Sequence, residues 1–351
     1  MRRVIVAGGF GFFGNVLVER LRAEGFEPLI CSRRQAADVV LNVEDPASIR
    51  QAIHPDDVVV DAAGPYQIRT TALAEAAADV GFDLIDLADS LDYVQSVWAL
   101  KDRFAASGAR VFTACSTVSA ISAAMIHLSG FQRPRRVSGL LIPAAKHTAV
   151  DATAASLLYS VGNPVRVLAD GHMVERAGWR TTRRFQSPPP FGRTQGHLFE
   201  TADSFALSAV SPSLRAVDFY VNSNVWGLNA TFSLASRWRL LRALLKKFRK
   251  RGLGLARLLG GSVSGICHEI ENEDGAVARL ALIAPAQGFL IPIAPAVLAV
   301  RSLMDNQCDA TGLISHDRQI NPQELIRWLA AEGIEFSHHL LPASEMDSRG
   351  S

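Results

Sequence analysis

The stretch Val4-Ile5-Val6-Ala7-Gly8-Gly9-Phe10-Gly11-Phe12-Phe13-Gly14 decides the fold. Its first four residues are short, apolar and mostly β-branched, which suits a strand buried on both faces. They run into G-x-G-x-x-G at Gly9, Gly11 and Gly14. Asn15–Glu24 then reads as an amphipathic helix with Val16, Leu17 and Leu21 turned inward, stopped by Gly25. Strand, glycine loop and helix are the context that a dinucleotide cradle requires. The first glycine makes the tight turn, the second lets backbone N–H groups approach a pyrophosphate, and the third lets the helix pack close. The positive end of the helix then faces the phosphate charge. Gly8, Gly9, Phe10, Gly11, Phe12, Phe13 and Gly14 are the expected cradle.

The next strand, Pro28–Cys31, ends where the cofactor is selected. An acidic residue here would hold the ribose 2′-hydroxyl of NAD. The chain places Ser32-Arg33-Arg34 there instead. Guanidinium groups bind phosphate through paired, charge-assisted hydrogen bonds, so these residues suit the 2′-phosphate of NADP(H). Further strands are expected at Asp38–Val43, Val58–Ala63, Leu84–Leu87 and Ala109–Ala114, with helices such as Thr71–Val80 and Asp92–Ser107 between them. This is the pattern of a Rossmann-like, doubly wound parallel sheet. Ligands meet such a sheet at the carboxyl ends of its strands, which draws attention to Ala63-Gly64-Pro65-Tyr66, Ala88-Asp89-Ser90 and Cys115-Ser116-Thr117.

Beyond Pro134 the pattern changes. Val165–Glu175 reads as a hairpin turning at Asp170-Gly171, Ile266–Ile283 as a second turning at Asp274-Gly275, and Leu214–Val221 alternates as a half-buried strand. A second α/β domain on a mainly antiparallel sheet is expected. Ser187–Gly196, with three consecutive prolines, reads as an irregular loop. The expected organisation is a dinucleotide-binding domain over 1–133, a substrate or dimerisation domain over 134–285, and a segment over 286–351 packing back on the first.

At 351 residues, 48 % hydrophobic and 20 % charged, the chain has ample material for two packed cores. A net charge of +2 gives no argument for nucleic acid. The uncharged runs Val111–Phe131 and Ala281–Val300 approach membrane length, but Ser, Thr and His127 interrupt the first and Pro285, Pro292 and Pro295 the second, so both read as core. Arg2-Arg3 precede an apolar stretch too rich in glycine for a secretory leader. Cys31, Cys115, Cys267 and Cys308 form no C-x-x-C pair and lack histidines at zinc spacing. Reduced thiols, no metal and a cytoplasmic location are the expectation.

Gly8–Gly14, Val60-Asp61-Ala62-Ala63-Gly64-Pro65-Tyr66 and Gly81–Asp89 resemble the NADP-binding domain of the saccharopine dehydrogenase (saccharopine reductase) oxidoreductases. Gly162–Val167, Asp170-Gly171-His172 and the stretch around Phe219–Ser236 are similar to the second domain of that family, and Ile291-Pro292 to its closing segment. The resemblance implies a Rossmann domain, an inserted α/β domain, NADP(H), and hydride transfer to or from a small imine or carbonyl compound.

The catalytic chemistry is less legible. None of Tyr66, Tyr93, Tyr159 or Tyr220 has a lysine four residues on, and no G-x-S-x-G or H-E-x-x-H is present. The candidate proton donors are Tyr66, Asp89 and Tyr93 at strand ends and Lys146, beside His147, after an apolar strand. Each has a plainer role available: Tyr66 can pack along the dinucleotide, Asp89 can cap a helix, and Lys146 can sit on the surface. A non-catalytic NADP(H) sensor and a membrane-surface, lipid-related reductase therefore stand beside the oxidoreductase reading. A small molecule is the expected partner, with a homodimer open. From Phe219 through His268 there is no Asp or Glu, whereas 237–257 holds nine basic residues. Trp238, Leu241, Leu245 and Phe248 recur there at helical spacing. The plainer expectation is a solvated basic face with its apolar stripe buried in the domain; the alternative is contact with an anionic membrane.

Overall fold

The computed structural model describes residues 2–342. They form two compact units, one made of the chain up to Ile121 with Leu290–Asn321, the other of Ser122–Phe289 with the chain from Pro322 on.

The first unit carries β1 (Val4–Ala7), β2 (Leu29–Ser32), β3 (Val39–Val40), β4 (Val58–Asp61), β5 (Asp83–Asp86) and β6 (Arg110–Phe112). Their order is β3-β2-β1-β4-β5-β6, and a seventh strand, Gly312–Leu313, extends the sheet beyond β6. Every pairing is parallel. In β1, β4 and β5 every residue is buried, as a sheet covered on both faces requires, including the carboxylates Asp61, Asp83 and Asp86 at the strand ends. Strand order reverses between β1 and β4, where Ala7 pairs with Cys31 on one side and Asp61 on the other. That reversal opens the crevice in which doubly wound sheets bind ligands. The helix after the glycine loop, α1, spans Phe12–Ala23 and buries Val16, Leu17, Val18 and Leu21. The expected helix Asp92–Ser107 is two, Leu91–Trp98 and Lys101–Ser107.

The second unit carries β7 (Pro134–Ile142), β8 (Pro164–Ala169), β9 (His172–Ala177), β10 (Thr182–Gln186), β11 (Arg193–Phe199), β12 (Ala216–Val221), β13 (Ser264–Asn272) and β14 (Val277–Ala284). Only β7 and β12 pair in parallel; the other pairings among the described residues are antiparallel. Both hairpins form where expected, and Asp170 and Gly171 both adopt positive φ, as a tight hairpin turn demands. Leu140, Phe185, Leu198, Tyr220 and Ile283 lead the core on one face of the sheet.

Three expectations change. The boundary falls within the helix Ala120–Leu128 rather than at 133, because the buried Ser122 hydroxyl donates to Asp203 (2.7 Å) and lies 3.0 Å from His268 Nε2, both in the second unit. The C-terminal segment divides. Leu290–Asn321 belongs with the first unit, but Glu335–Leu341 pairs with the edge of β14, which would otherwise be open. The proline loop stops at 192, since Arg193–Gly196 enter β11. Among the described residues no helix is long and apolar enough to cross a membrane. Cys31, Cys115 and Cys267 are buried free thiols, and Cys308 is half-buried.

Candidate functional site

The glycine loop closes β1 onto α1. Gly8 has φ +75°, and a Cβ there would lie 2.9 Å from Ala63 Cα, so the loops after β1 and β4 meet at a distance only glycine permits. A Cβ on Gly14 would fall 2.2 Å from the Gly8 carbonyl oxygen; this is the close helix–strand packing read from the third glycine. Gly8 and Gly9 donate to the Cys31 carbonyl and Gly11 to that of Gly8. Gly11, at the N-cap of α1, has no side chain with which to cap it. The positive end of the α1 dipole lies at this loop, which favours an anion there. The Phe12 and Phe13 rings pack edge to face at 5.1 Å, and both are half-buried; Phe10 is exposed.

Ser32 ends β2, and its hydroxyl accepts the Arg34 N–H at 3.0 Å, fixing the turn that presents the arginine pair. Arg33 and Arg34 are exposed. The Arg34 guanidinium lies 5.4 Å from the Phe10 ring centroid, which brings the loops after β1 and β2 together. Three features therefore meet at the carboxyl end of the sheet: a glycine cradle with no room for Cβ atoms, the N-terminus of α1, and two cations with no acidic residue beside them in sequence. Together they fit a dinucleotide.

Sequence reasoning missed Arg69. Its side chain is buried, and its guanidinium bonds Asp61 (3.0 and 3.4 Å), Glu44 and the Ala63 carbonyl. Asp61 ends β4, is wholly buried, and accepts the Ala63 N–H at 2.9 Å. Burial lowers the Arg69 pKa, but Asp61 and the neighbouring groups outweigh it and the net direction is upward, so the ion pair persists. It clamps the Ala62-Ala63 segment against Gly8. The only sequence signal was an arginine shortly after Gly64-Pro65-Tyr66, a spacing without a general rule behind it.

Tyr66 is buried rather than laid along a ligand. Its hydroxyl donates to the Asp61 carbonyl (2.6 Å) and accepts the Leu87 N–H (3.2 Å). Tyr93 is equally buried, packs at 5.0 Å on the Tyr66 ring, and its hydroxyl has no partner. Burial first, then Asp61 and Asp86, push both phenols well above 10. Ser90, not Asp89, caps the helix Leu91–Trp98, by accepting the Tyr93 N–H at 3.5 Å. Asp89 is half-buried and accepts from Gln67 at 3.0 Å. Lys146 and His147 lie in the second unit, exposed on the short helix Ala145–Thr148.

Asp86 ends β5 and accepts the N–H groups of Ala88 (3.0 Å) and Ala114 (2.8 Å) on one oxygen. Burial pushes its carboxyl up to about 7, and Asp61 adds to the shift. After β6, Ala114 and Ser119 both hold positive φ, +50° and +65°, a conformation that strains side-chain-bearing residues. The Ser116 hydroxyl donates to the Pro292 carbonyl at 2.9 Å. This strained segment lies beyond the carboxyl end of β6, on the edge of the sheet that carries the glycine loop.

No protein-family profile matches the chain, and no curated protein matches it. Solved structures do. Saccharopine dehydrogenase (L-Glu forming) from Saccharomyces cerevisiae superposes with a TM-score of 0.66 at 13 % identity, over 97 % of this chain and 100 % of that one. Levoglucosan dehydrogenase, solved with NADH and levoglucosan, is similar over 97 % of this chain and 99 % of its own, at 12 % identity and a TM-score of 0.41. GenD2 from gentamicin A biosynthesis, solved with NAD, covers 98 % of this chain and 97 % of its own, at 14 % identity and a TM-score of 0.39. A seven-stranded parallel sheet joined to a mixed sheet, matched along almost the whole chain, is the fold of saccharopine dehydrogenase.

Proposed function

We propose that this protein is an NADP(H)-dependent oxidoreductase of saccharopine-dehydrogenase-like type that acts on a small imine or carbonyl compound. One observation carries the reading: Arg33 and Arg34 stand exposed at the end of β2, beside a glycine cradle that Cβ atoms would fill. NADPH bound there would supply a hydride to an iminium carbon, giving the amine, or to a carbonyl carbon whose oxygen takes a proton from solvent, and would leave as NADP+. The chain's own part is to bind and orient. First-turn amides of α1 hold the pyrophosphate, the arginines hold the 2′-phosphate, and the Asp61–Arg69 clamp keeps the loop after β4 in place.

With both phenols buried, substrate orientation and an already protonated imine carry the proton balance better than a tyrosine acid does. Asp89 is the polar side chain at the end of β5 that stays partly open to solvent. Calorimetric titration with NADPH and NADH, followed by turnover against imines, ketones and enoyl compounds, tests the proposal. Preferential NADPH binding with oxidation by an imine or ketone is the expected result. Equal affinity for both cofactors would refute the cofactor assignment. NADPH binding without turnover anywhere in the panel would favour the sensor.

A further inference from the structure

The basic stretch 237–257 is two helices, Arg239–Lys247 and Arg249–Leu259, hinged at Phe248, and neither has a buried residue. The apolar stripe is therefore not core, contrary to the plainer expectation. Leu241 and Leu245 are half-buried, while Trp238 is 61 % exposed and Phe248 is exposed as well. Of the fifteen large hydrophobic side chains exposed among the described residues, nine lie between Trp226 and Leu259, with Leu240 at 87 % and Trp226 at 83 %. Scattered exposed leucines are ordinary; this concentration is not.

The cations fall into two groups. Arg249 forms a two-pronged pair with Asp151 at 2.8 Å, Arg242 donates to the carbonyls of Val161 and Gly162, and Arg257 donates to that of Ala149. These three hold the helices down. Arg237, Arg239, Lys246, Lys247, Lys250 and Arg251 make no ion pair among the described residues; Lys247 and Arg251 instead lie over the Phe248 ring. Between these helices and the helices Asp151–Ser160 and Leu228–Ala235 is a cavity of about 420 Å³. Its walls are almost entirely apolar, with Ala154, Leu157, Phe232, Leu245 and Leu253 among them. Walls of this kind offer solvent few hydrogen-bond partners, so an apolar chain entering the cavity displaces only weakly held water.

We propose that this face docks on an anionic lipid bilayer and that the cavity behind it takes one acyl chain of a lipid from that bilayer. Charge and hydrophobicity together select this occupant. A second copy meeting the same face across a two-fold axis would set cations against cations with no acidic residue between 219 and 268 to relieve them. Nucleic acid would satisfy the cations but leave the protruding leucines without an apolar phase. An anionic bilayer satisfies both, as basic amphipathic helices do at membrane surfaces. The proposal stands independently of the nicotinamide reading.

Flotation of the full-length protein with phosphatidylcholine vesicles, with and without phosphatidylserine, tests it. Co-flotation should require phosphatidylserine and weaken with salt. Emission from Trp226 and Trp238 should shift to the blue and be quenched by brominated acyl chains. Reversing Lys246→Glu, Lys247→Glu and Lys250→Glu together should weaken partitioning about a hundredfold while the circular dichroism stays unchanged. Should that variant fail to fold, the salt titration on wild-type protein carries the charge argument. Ala154→Trp, or the milder Leu157→Phe, should abolish lipid retained in native mass spectra while flotation persists. Absence of co-flotation, flotation indifferent to phosphatidylserine and salt, or a dimer dispersed by Trp238→Ser would overturn the docking. Lipid retained by both filled variants would overturn the acyl slot.

Discussion

Replacing Arg69 by Met removes the cation that holds the loop after β4 and leaves Asp61 alone in the interior. Asp61 is wholly buried and the Arg69 side chain is 7 % exposed, so solvent screens the pair little. Breaking one side of a buried ion pair costs about 3–5 kcal/mol, because the remaining charge keeps its desolvation penalty and loses its compensation. The Glu44 contact adds less, since Glu44 is one-third exposed and pairs of that kind are worth up to about 1 kcal/mol. Asp61→Asn keeps an acceptor for the Ala63 N–H and carries no charge. The double variant Asp61→Asn, Arg69→Met should therefore recover most of the loss, and the cycle should show coupling of about 2 kcal/mol or more. Urea unfolding with linear extrapolation measures each corner. NADPH affinity should fall in Arg69→Met as well, because Ala63 lies against Gly8. An Arg69→Met variant within about 1 kcal/mol of wild type, or a double variant costing the sum of the singles, would refute the clamp.

Arg33→Ala with Arg34→Ala should weaken NADPH by about 1.5–3 kcal/mol per lost charge-assisted bond and leave NADH nearly unchanged; equal losses by calorimetry would refute the 2′-phosphate site. Gly14→Ala, with its Cβ 2.2 Å from the Gly8 oxygen, must push α1 off the loop at about 1–3 kcal/mol and impair dinucleotide binding, whereas undiminished binding would show that the contact relaxes freely. Burial holds His268 and His316 neutral, each down to about 4, while in the unfolded chain they protonate near 6.5. The unfolded state thus binds more protons between those values, and these two groups lower stability as pH falls from about 6.5 to about 4. Asp86 acts oppositely: it stays protonated in the fold up to about 7 while the unfolded carboxyl ionises near 3.8, so its contribution is lost as pH rises through that window. Asp86→Asn should raise the melting temperature at pH 8 and change it little at pH 4; lower stability at pH 8 would show that Asp86 is needed as an anion.

The sequence by itself determined the first unit's sheet and cradle. β1, its glycines and α1 are contiguous, and their chemistry is local: an apolar run, residues that tolerate missing Cβ atoms, then an amphipathic helix. The Asp170-Gly171 hairpin was legible for the same reason, as was the absence of an acidic residue after β2. Arg69 was not, because its importance comes from a carboxylate eight residues earlier that becomes wholly buried only when β4 pairs with β1 and β5. The burial of Tyr66 and Tyr93 was hidden in the same way; a tyrosine at a strand end looks identical in sequence whether its hydroxyl faces a ligand or a backbone carbonyl. The division of the C-terminal segment depended on which sheet had an open edge for Glu335–Leu341, a non-local matter of pairing. The two basic helices show the clearest split. Periodicity revealed their apolar stripe and charge, but whether that stripe meets core or solvent is decided by what packs against it, and helical spacing carries no information about that.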